Sequence, residues 1–271
     1  MNKTFTLFIH KFVRKGKNME ELLPTILTAF ATTMATKGAE APAQTFNNLW
    51  QYVFGPLDNF LTKKIDERVA NNKAQYADSI TEKVSNIPKE YLQEPQLSII
   101  GPGLEASKFY IDEMELREMF AKLLASSFDS RQNDRIHHSF IEIIKQISPL
   151  DADNLKIISQ TPHSLPITNY SISEMDGKQE LFKNYVFLSN PQCLHIDKQA
   201  SSVINLKRLG LIDVTFEKWL TDDSHYAVHN DNNLIREFNN ELASRQQEIK
   251  VEKGILFLTP LGIDFCNICL D

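Results

Sequence analysis

The stretch SSVINLKRLGLIDVTF, Ser201 to Phe216, reads as a helix, a stop and a strand. Gly210 closes the helical part, because glycine takes the left-handed conformation that ends a helix at no steric cost. The β-branched run LIDVTF then suits a strand. Further on, GILFLT at Gly254–Thr259 is a second strand, and Thr259-Pro260 opens a last helix carrying Phe265 and Ile268. Upstream, Ser148-Pro149-Leu150-Asp151 supplies a capping serine, proline at the first helical position and a carboxylate three residues after the cap, so a helix with Leu155 and Ile158 begins there. Helix, helix, two-stranded ribbon, helix is a winged-helix-like order. Leu234, Phe238 and Leu242 mark one more helix, inserted between the ribbon's strands, and PITNYSIS and NYVFLS are further strand candidates.

The preceding half has helical spacing almost throughout. Leu116, Met119, Phe120, Leu123, Leu124 and Phe128 share one face of a core helix whose first turn is acidic, as the helix dipole favours; Phe140, Ile143, Ile144 and Ile147 repeat the pattern. From Asp58 to Asn86 a charged, largely exposed helix carries one thin apolar line, Leu61, Ile65, Val69, Tyr76, Ile80 and Val84. Pro88, Pro95 and Pro102 predict turns and short extended pieces after it. The fold class expected is mainly α, of the α+β kind: a helical domain over 1–147 and a winged-helix-like domain with insertions over 148–271.

Two helices near the front lack charge. LLPTILTAFATTMAT places Leu23, Ile26, Leu27, Phe30 and Met34 on one face, and TFNNLWQYVFGPL does the same for Phe46, Leu49, Trp50, Val53 and Phe54. Their opposite faces show Thr, Asn and Gln where a solvated helix usually shows Lys and Glu. That predicts burial against other helices, a second copy, a protein partner or a membrane surface, with Ile26, Phe30, Phe46, Trp50 and Phe54 as the contact face. Neither run reaches the roughly 20 apolar residues a membrane span needs.

The 29 basic and 35 acidic side chains leave a net charge of −6, and the imbalance sits after Ile147, with 11 basic against 17 acidic residues. An acidic second half is a poor phosphate ligand. The only basic pair on the helix Ser201–Leu209 is Lys207 and Arg208, so nucleic acid is disfavoured as a partner, and these two would carry any contact. Cys193, Cys266 and Cys269 cannot all pair, which points to a reducing cytoplasm; Cys266 and Cys269 form a C-x-x-C without a second ligand pair, and neither metal nor cofactor is expected. Glu20 and Glu21 interrupt the segment that could otherwise be a signal peptide, and Met19 offers an alternative start that would make residues 1–18 an upstream extension.

Phosphate-cradling loops and the common hydrolase motifs are absent. Arg131 with His137 or His138, in SFDSRQNDRIHHSF, echoes an Arg-x(4 to 6)-His ribonuclease pattern, but the residues between are turn-like and nothing in the sequence orients the imidazoles. The segment is read as a hinge and helix start, with a metal-independent ribonuclease as the alternative.

GPGLEA at Gly101–Ala106, ELREMFAKLLASSFD at Glu115–Asp129, HHSFIEIIKQISPLDA at His137–Ala152, NLKRLGLI at Asn205–Ile212 and LTPLGIDF at Leu258–Phe265 together resemble the abortive infection alpha proteins of bacteria, from about Leu57 to Asp271. His138 stands where similar sequences have proline. The resemblance implies a role in phage defence, in which an infected cell halts growth or dies before progeny emerge. It brings no catalytic set. The function expected is thus a non-enzymatic effector or sensor with a protein partner or a phage-derived trigger, homo-oligomeric or membrane-associated on activation. A winged-helix regulator of a defence locus is the remaining alternative.

Overall fold

The computed structural model describes residues 22–54, 63–161, 164–173, 179–193, 195–243, 247 and 249–270; the side chains of 22–27, 29, 63–67, 173, 179–182, 234 and 243 are outside that description. The chain divides into two compact units. One runs to Gln146 and takes in the last turn from Ile268, and the other runs from Ile147 to Asn267. Among the described residues the protein is mainly helical, with a four-stranded antiparallel sheet in the second unit.

In the first unit, α1 (Leu22–Thr36) ends at Gly38, whose φ of 71° permits a double C-cap: Gly38 N–H donates to Ala35 O and Ala39 N–H to Met34 O, each at 2.8 Å. The chain reverses there into α2 (Glu40–Phe54). Helix α3 (Lys63–Ser85) differs from the thin-striped, exposed helix predicted for it. Val69, Tyr76, Ile80 and Val84 are buried as expected, but Lys73, Ala74, Ala77 and Thr81 are buried beside them. Alanine lets neighbouring helices approach, and the Thr81 hydroxyl satisfies itself on Ala77 O at 2.7 Å, so the buried face is wider than its apolar letters indicate.

Helix α4 (Leu97–Ser107) corrects a second expectation, since Pro102 lies inside it rather than in a turn. The reason is packing. A Cβ on Gly103 would come within 2.5 Å of Leu124 Cδ2, so Gly103 admits α5 (Met114–Ser126) at close range, and the burial this gives Ile99, Ile100 and Leu104 outweighs the local cost of the proline. Helix α6 (Ser139–Ile144) buries Phe140, Ile141, Ile143 and Ile144.

The second unit opens on α7 (Pro149–Ser159), with the capping box formed as predicted: Ser148 Oγ accepts from Asp151 N–H, and the Asp151 carboxylate accepts from Ser148 N–H at 2.8 Å. Strands β1 (Leu165–Ser173) and β2 (Gln179–Val186) follow. The second begins five residues before the NYVFLS candidate and ends at Val186; a bulge interrupts its pairing with β1 around Tyr185, which has a φ of 49° and donates its N–H to Asn169 Oδ1. Next come α8 (Ile196–Arg208), β3 (Ile212–Thr215), the short α9 (Ala227–Asn230), α10 (Asn233–Ala243), β4 (Ile249–Leu258) and α11 (Pro260–Cys269). The sheet order is β2-β1-β4-β3. The predicted pair β3 and β4 does align antiparallel, Ile212 opposite Leu258, but β4 also pairs with β1 over eight residues from Leu165 opposite Leu256, so the ribbon is half of a larger sheet.

Gly210 repeats the α1 device at the end of α8, with a φ of 74° and Leu211 N–H donating to Leu206 O. Thr259 caps α11 by accepting from Gly262 N–H, and a Cβ on Gly262 would stand 1.9 Å from Leu211 O. Only glycine fits at that crossing.

Candidate functional site

The face assigned to contact is an aromatic interior. Phe30 of α1 meets Phe46 of α2 edge-on at 4.9 Å between ring centroids; Phe46 lies 5.6 Å from Trp50, and Trp50 stacks on Phe54 at 4.5 Å. Tyr76 of α3 closes the row, 5.7 Å from Trp50, and Phe128 lies edge-on to both Phe30 and Phe46. Phe30, Phe46, Trp50 and Phe54 are each at most 1% exposed. Ile26 stands on α1, but its side chain is outside the described residues.

The neutral outer face behaves otherwise. Thr28, Thr32, Thr36, Gln44, Asn48 and Gln51 are exposed on the protomer, and Tyr52 among them is 79% exposed. The burial expected of that face is therefore not found within the protomer. A neutral face needs none, because threonine hydroxyls can bond their own helix: Thr32 donates to Thr28 O and Thr36 to Thr33 O. Helices α1 and α2 thus have two different surfaces, rings within and mostly Thr, Asn and Gln outside, with Tyr52 the exposed ring.

The interior is held unevenly. Asn47 Oδ1, Trp50 Nε1 and Tyr76 Oη are buried without a hydrogen-bond partner. The Ser107 hydroxyl beside Tyr76 gives its proton to Leu104 O at 2.8 Å and offers the phenol its oxygen as an acceptor; burial nonetheless pushes the Tyr76 phenol far above its ordinary range. Each such orphan costs about 1–3 kcal/mol, whereas each aromatic pair adds about 0.5–1.5 kcal/mol beyond its area and each buried ring about 2–3 kcal/mol. The rings win, by a reduced margin. At the α1–α2 turn Lys37 Nζ donates to Ser85 O and Ile87 O, at 2.6 and 2.7 Å, capping the end of α3; desolvation lowers its pKa. On α2, Thr45 reaches Glu94 at 3.0 Å, and Lys73 of α3 donates to Phe54 O at 3.4 Å.

The Arg131 and histidine pattern is distributed rather than assembled. Asp129 caps a 3-10 turn at Ser130–Gln132 and takes Arg131 in a bidentate pair, Nε to Oδ1 at 2.9 Å and Nη2 to Oδ2 at 2.6 Å. Burial would raise the Asp129 carboxyl, but hydrogen bonds from the Arg131 side chain and backbone outweigh it and hold the group below the usual range. The guanidinium also lies over the Tyr91 ring, 4.6 Å from its centroid. His137 Nδ1 contacts Ser139 Oγ at 2.6 Å; His138 is exposed and precedes α6 without capping it through its side chain. No hydrogen bond joins Arg131 to either histidine. Asp129 is the residue that sequence reading overlooked, although an Asp two positions before Arg131 in a turn is a recognisable cap.

Lys207 and Arg208 are also engaged, Lys207 with Asp213 and Arg208 with Asn205 Oδ1 at 2.7 Å. Cys266 and Cys269 are buried and form no disulfide, and no cluster of three potential metal ligands occurs among the described residues. No helix among them is long and apolar enough to cross a membrane. In the second unit, an open groove of about 440 Å³ is lined by Ser148, Asp151, Asp197, Lys198, Ser201 and Asn205, and its Asp151 is already bonded by Ser148 and Asn205.

The polar interior of the second unit, invisible in the sequence, is a closed network. Asn154 Nδ2 donates to Gln199 Oε1 at 2.6 Å and to Ser202 Oγ at 2.9 Å, and its Oδ1 accepts from Asn190 at 2.8 Å. Gln199 in turn donates to Cys193 O. Among known proteins, the family model described as abortive infection alpha matches residues 68–269. No curated protein and no solved structure matches the chain.

Proposed function

We propose, from the premise that this chain belongs to the abortive infection alpha family, that the phage-defence role which membership implies is carried out through protein contact by α1 and α2. The effector is non-enzymatic and cytoplasmic. Its partner is a phage-derived protein or a second copy of the chain. In the resting protein the ring face of α1 and α2 is kept inside, and on activation it is offered outward. The second unit serves as a winged-helix-like module, a reading supported by the order α7, α8, β3, β4, α11.

The observation that carries this reading is the row Phe30, Phe46, Trp50 and Phe54 in a helical pair whose one ionised side chain is Glu40, ahead of the matched segment beginning at Arg68. Aromatic rings in rigid helices are the strongest contributors to protein contacts. Trp50→Leu with Phe54→Leu removes two rings from that face and leaves an apolar interior, so the resting fold is kept at lower stability while a partner loses its aromatic anchors. Plaque assays should show protection falling at least tenfold, on the order of losing one such anchor at a contact. A folded double variant that protects as well as the parent overturns the reading. The His137→Ala, His138→Ala pair should retain protection; its loss would favour ribonuclease chemistry instead.

A further inference from the structure

From Leu22 to Phe54 the charged residues are Lys37 and Glu40, and both flank the turn at Gly38. Lys37 is bonded to Ser85 O and Ile87 O, which leaves Glu40 as the one free charge of the helical pair, in a chain whose net charge is −6. Depletion of charged side chains, more than apolarity, is the compositional mark of a contact surface.

The outward groups can be covered by a like surface. Thr28, Thr32 and Thr36 recur at helical spacing on α1, and the hydroxyls of Thr32 and Thr36 already donate to their own helix, so covering them strands no donor. Gln44, Asn48 and Gln51 share one face of α2 beside Tyr52, which is 79% exposed. Among the described residues these three side-chain amides bond to nothing. An amide is donor and acceptor at once, so two amides satisfy each other, as two carboxylates or two ammonium groups cannot. The protein itself contains such a pairing: Gln93 Nε2 donates to Asn133 Oδ1 at 2.7 Å, and Asn133 Nδ2 returns a bond to Gln93 Oε1 at 3.1 Å. A two-fold contact sets one surface against itself, and therefore needs groups of that kind and no net charge.

We propose that the outward face of α1 and α2 is a self-association surface, covered by the same face of a second copy, with Gln44, Asn48 and Gln51 pairing across the two-fold axis and Tyr52 packed among them. Two helices of 15 residues side by side offer about 22 Å by about 20 Å, or about 450 Å² from each copy. That is less than the roughly 800 Å² per partner of a standard interface, so the dimer is reversible and concentration-dependent. Copies joined in this way keep Trp50 and Phe54 enclosed, and the contact does not depend on release of the ring face.

The test is sedimentation velocity on the full chain from about 1 to about 200 μM, the range in which an association of this size passes from monomer to dimer. The parent should dimerise. Asn48→Asp with Gln51→Glu keeps the shape of both exposed side chains but sets like charges across the axis, and should weaken association at least tenfold. Asn48→Lys with Gln51→Lys should do the same. An equimolar mixture of the two charged variants should recover the dimer, because opposite charges then meet, and misfolded variants would not be rescued in this way. A parent that stays monomeric throughout overturns the proposal and leaves the face to a different protein. Charged variants that dimerise as the parent does place the contact elsewhere, and a mixture that stays monomeric denies that the face meets itself; either result also overturns it. The ring-face reading is judged separately, by the Trp50→Leu and Phe54→Leu plaque assay.

Discussion

Tyr76 and Tyr226 are both fully buried, one in each unit, and their hydroxyls are treated oppositely. Tyr226 Oη donates to Gly254 O at 2.8 Å and accepts from Leu220 N–H at 3.0 Å; Tyr76 Oη has no partner. The same holds around them. The second unit ties Asn154, Gln199, Ser202 and Asn190 into one chain of bonds, whereas the first leaves Asn47 and Trp50 unanswered. A satisfied polar interior admits one arrangement, because any shift breaks several directional bonds. An interior held by ring packing over unmet polar groups can part and re-form at less cost. The contrast makes the interior of the second unit the more directional of the two.

The contrast is broken most severely at Asn154. Asn154→Ala strands Gln199 Oε1, Ser202 Oγ and Asn190 Nδ2 together, and should destabilise the second unit by about 4 kcal/mol. Urea unfolding followed by hydrogen exchange of α8 measures it, and a loss under about 1 kcal/mol would mean that water replaces the network freely.

Acid probes the exception within the second unit. His229 is buried, with Nδ1 beside Thr168 Oγ1 at 3.0 Å and Nε2 unpartnered, and desolvation pulls its pKa from 6.5 to about 4. A depressed histidine favours the native state above the unfolded pKa. Stability is therefore full above pH 6.5, falls as the unfolded chain takes up a proton first, and reaches its floor near pH 4. The loss is roughly 3 kcal/mol across that window. Subtracting the pH profile of His229→Leu removes the carboxylate contributions; if the two profiles run parallel, the imidazole is not dry.

Deleting the same oxygen twice sharpens the comparison further. Tyr226→Phe should cost about 2 kcal/mol by stranding Gly254 O and Leu220 N–H, while Tyr76→Phe should gain about 1 kcal/mol by removing an orphan. Opposite signs in thermal unfolding uphold the distinction between the two interiors. Equal signs abolish it.

How much of this was legible depended on the range of the interaction. The Ser148 capping box, the Gly210 stop and the Thr259-Pro260 start are settled within five residues of chain, and all were readable. The ring face of Phe30, Phe46, Trp50 and Phe54 was readable as periodicity and, in the plainer reading, as two helices packed in the protein's own core; which neighbours cover it was not, because periodicity says that a face is covered and not by what. Pro102 misled, since the neighbour packed over the adjoining Gly103, Leu124, lies 21 residues further along the chain. The orphans on Asn47, Trp50 and Tyr76 were beyond reach for the same reason. An unmet bond is defined by what arrives from elsewhere in the fold.

The protein contains two tryptophans, and they differ as the two interiors do: Trp50 is sealed at 1% exposure and Trp219 is 57% exposed. The molecule consequently has a built-in optical gauge. Trp50 should emit at short wavelength and resist iodide, while Trp219 emits to the red and is quenched readily. Any movement of the former toward the latter would record the helix lifting, in unlabelled protein and in real time.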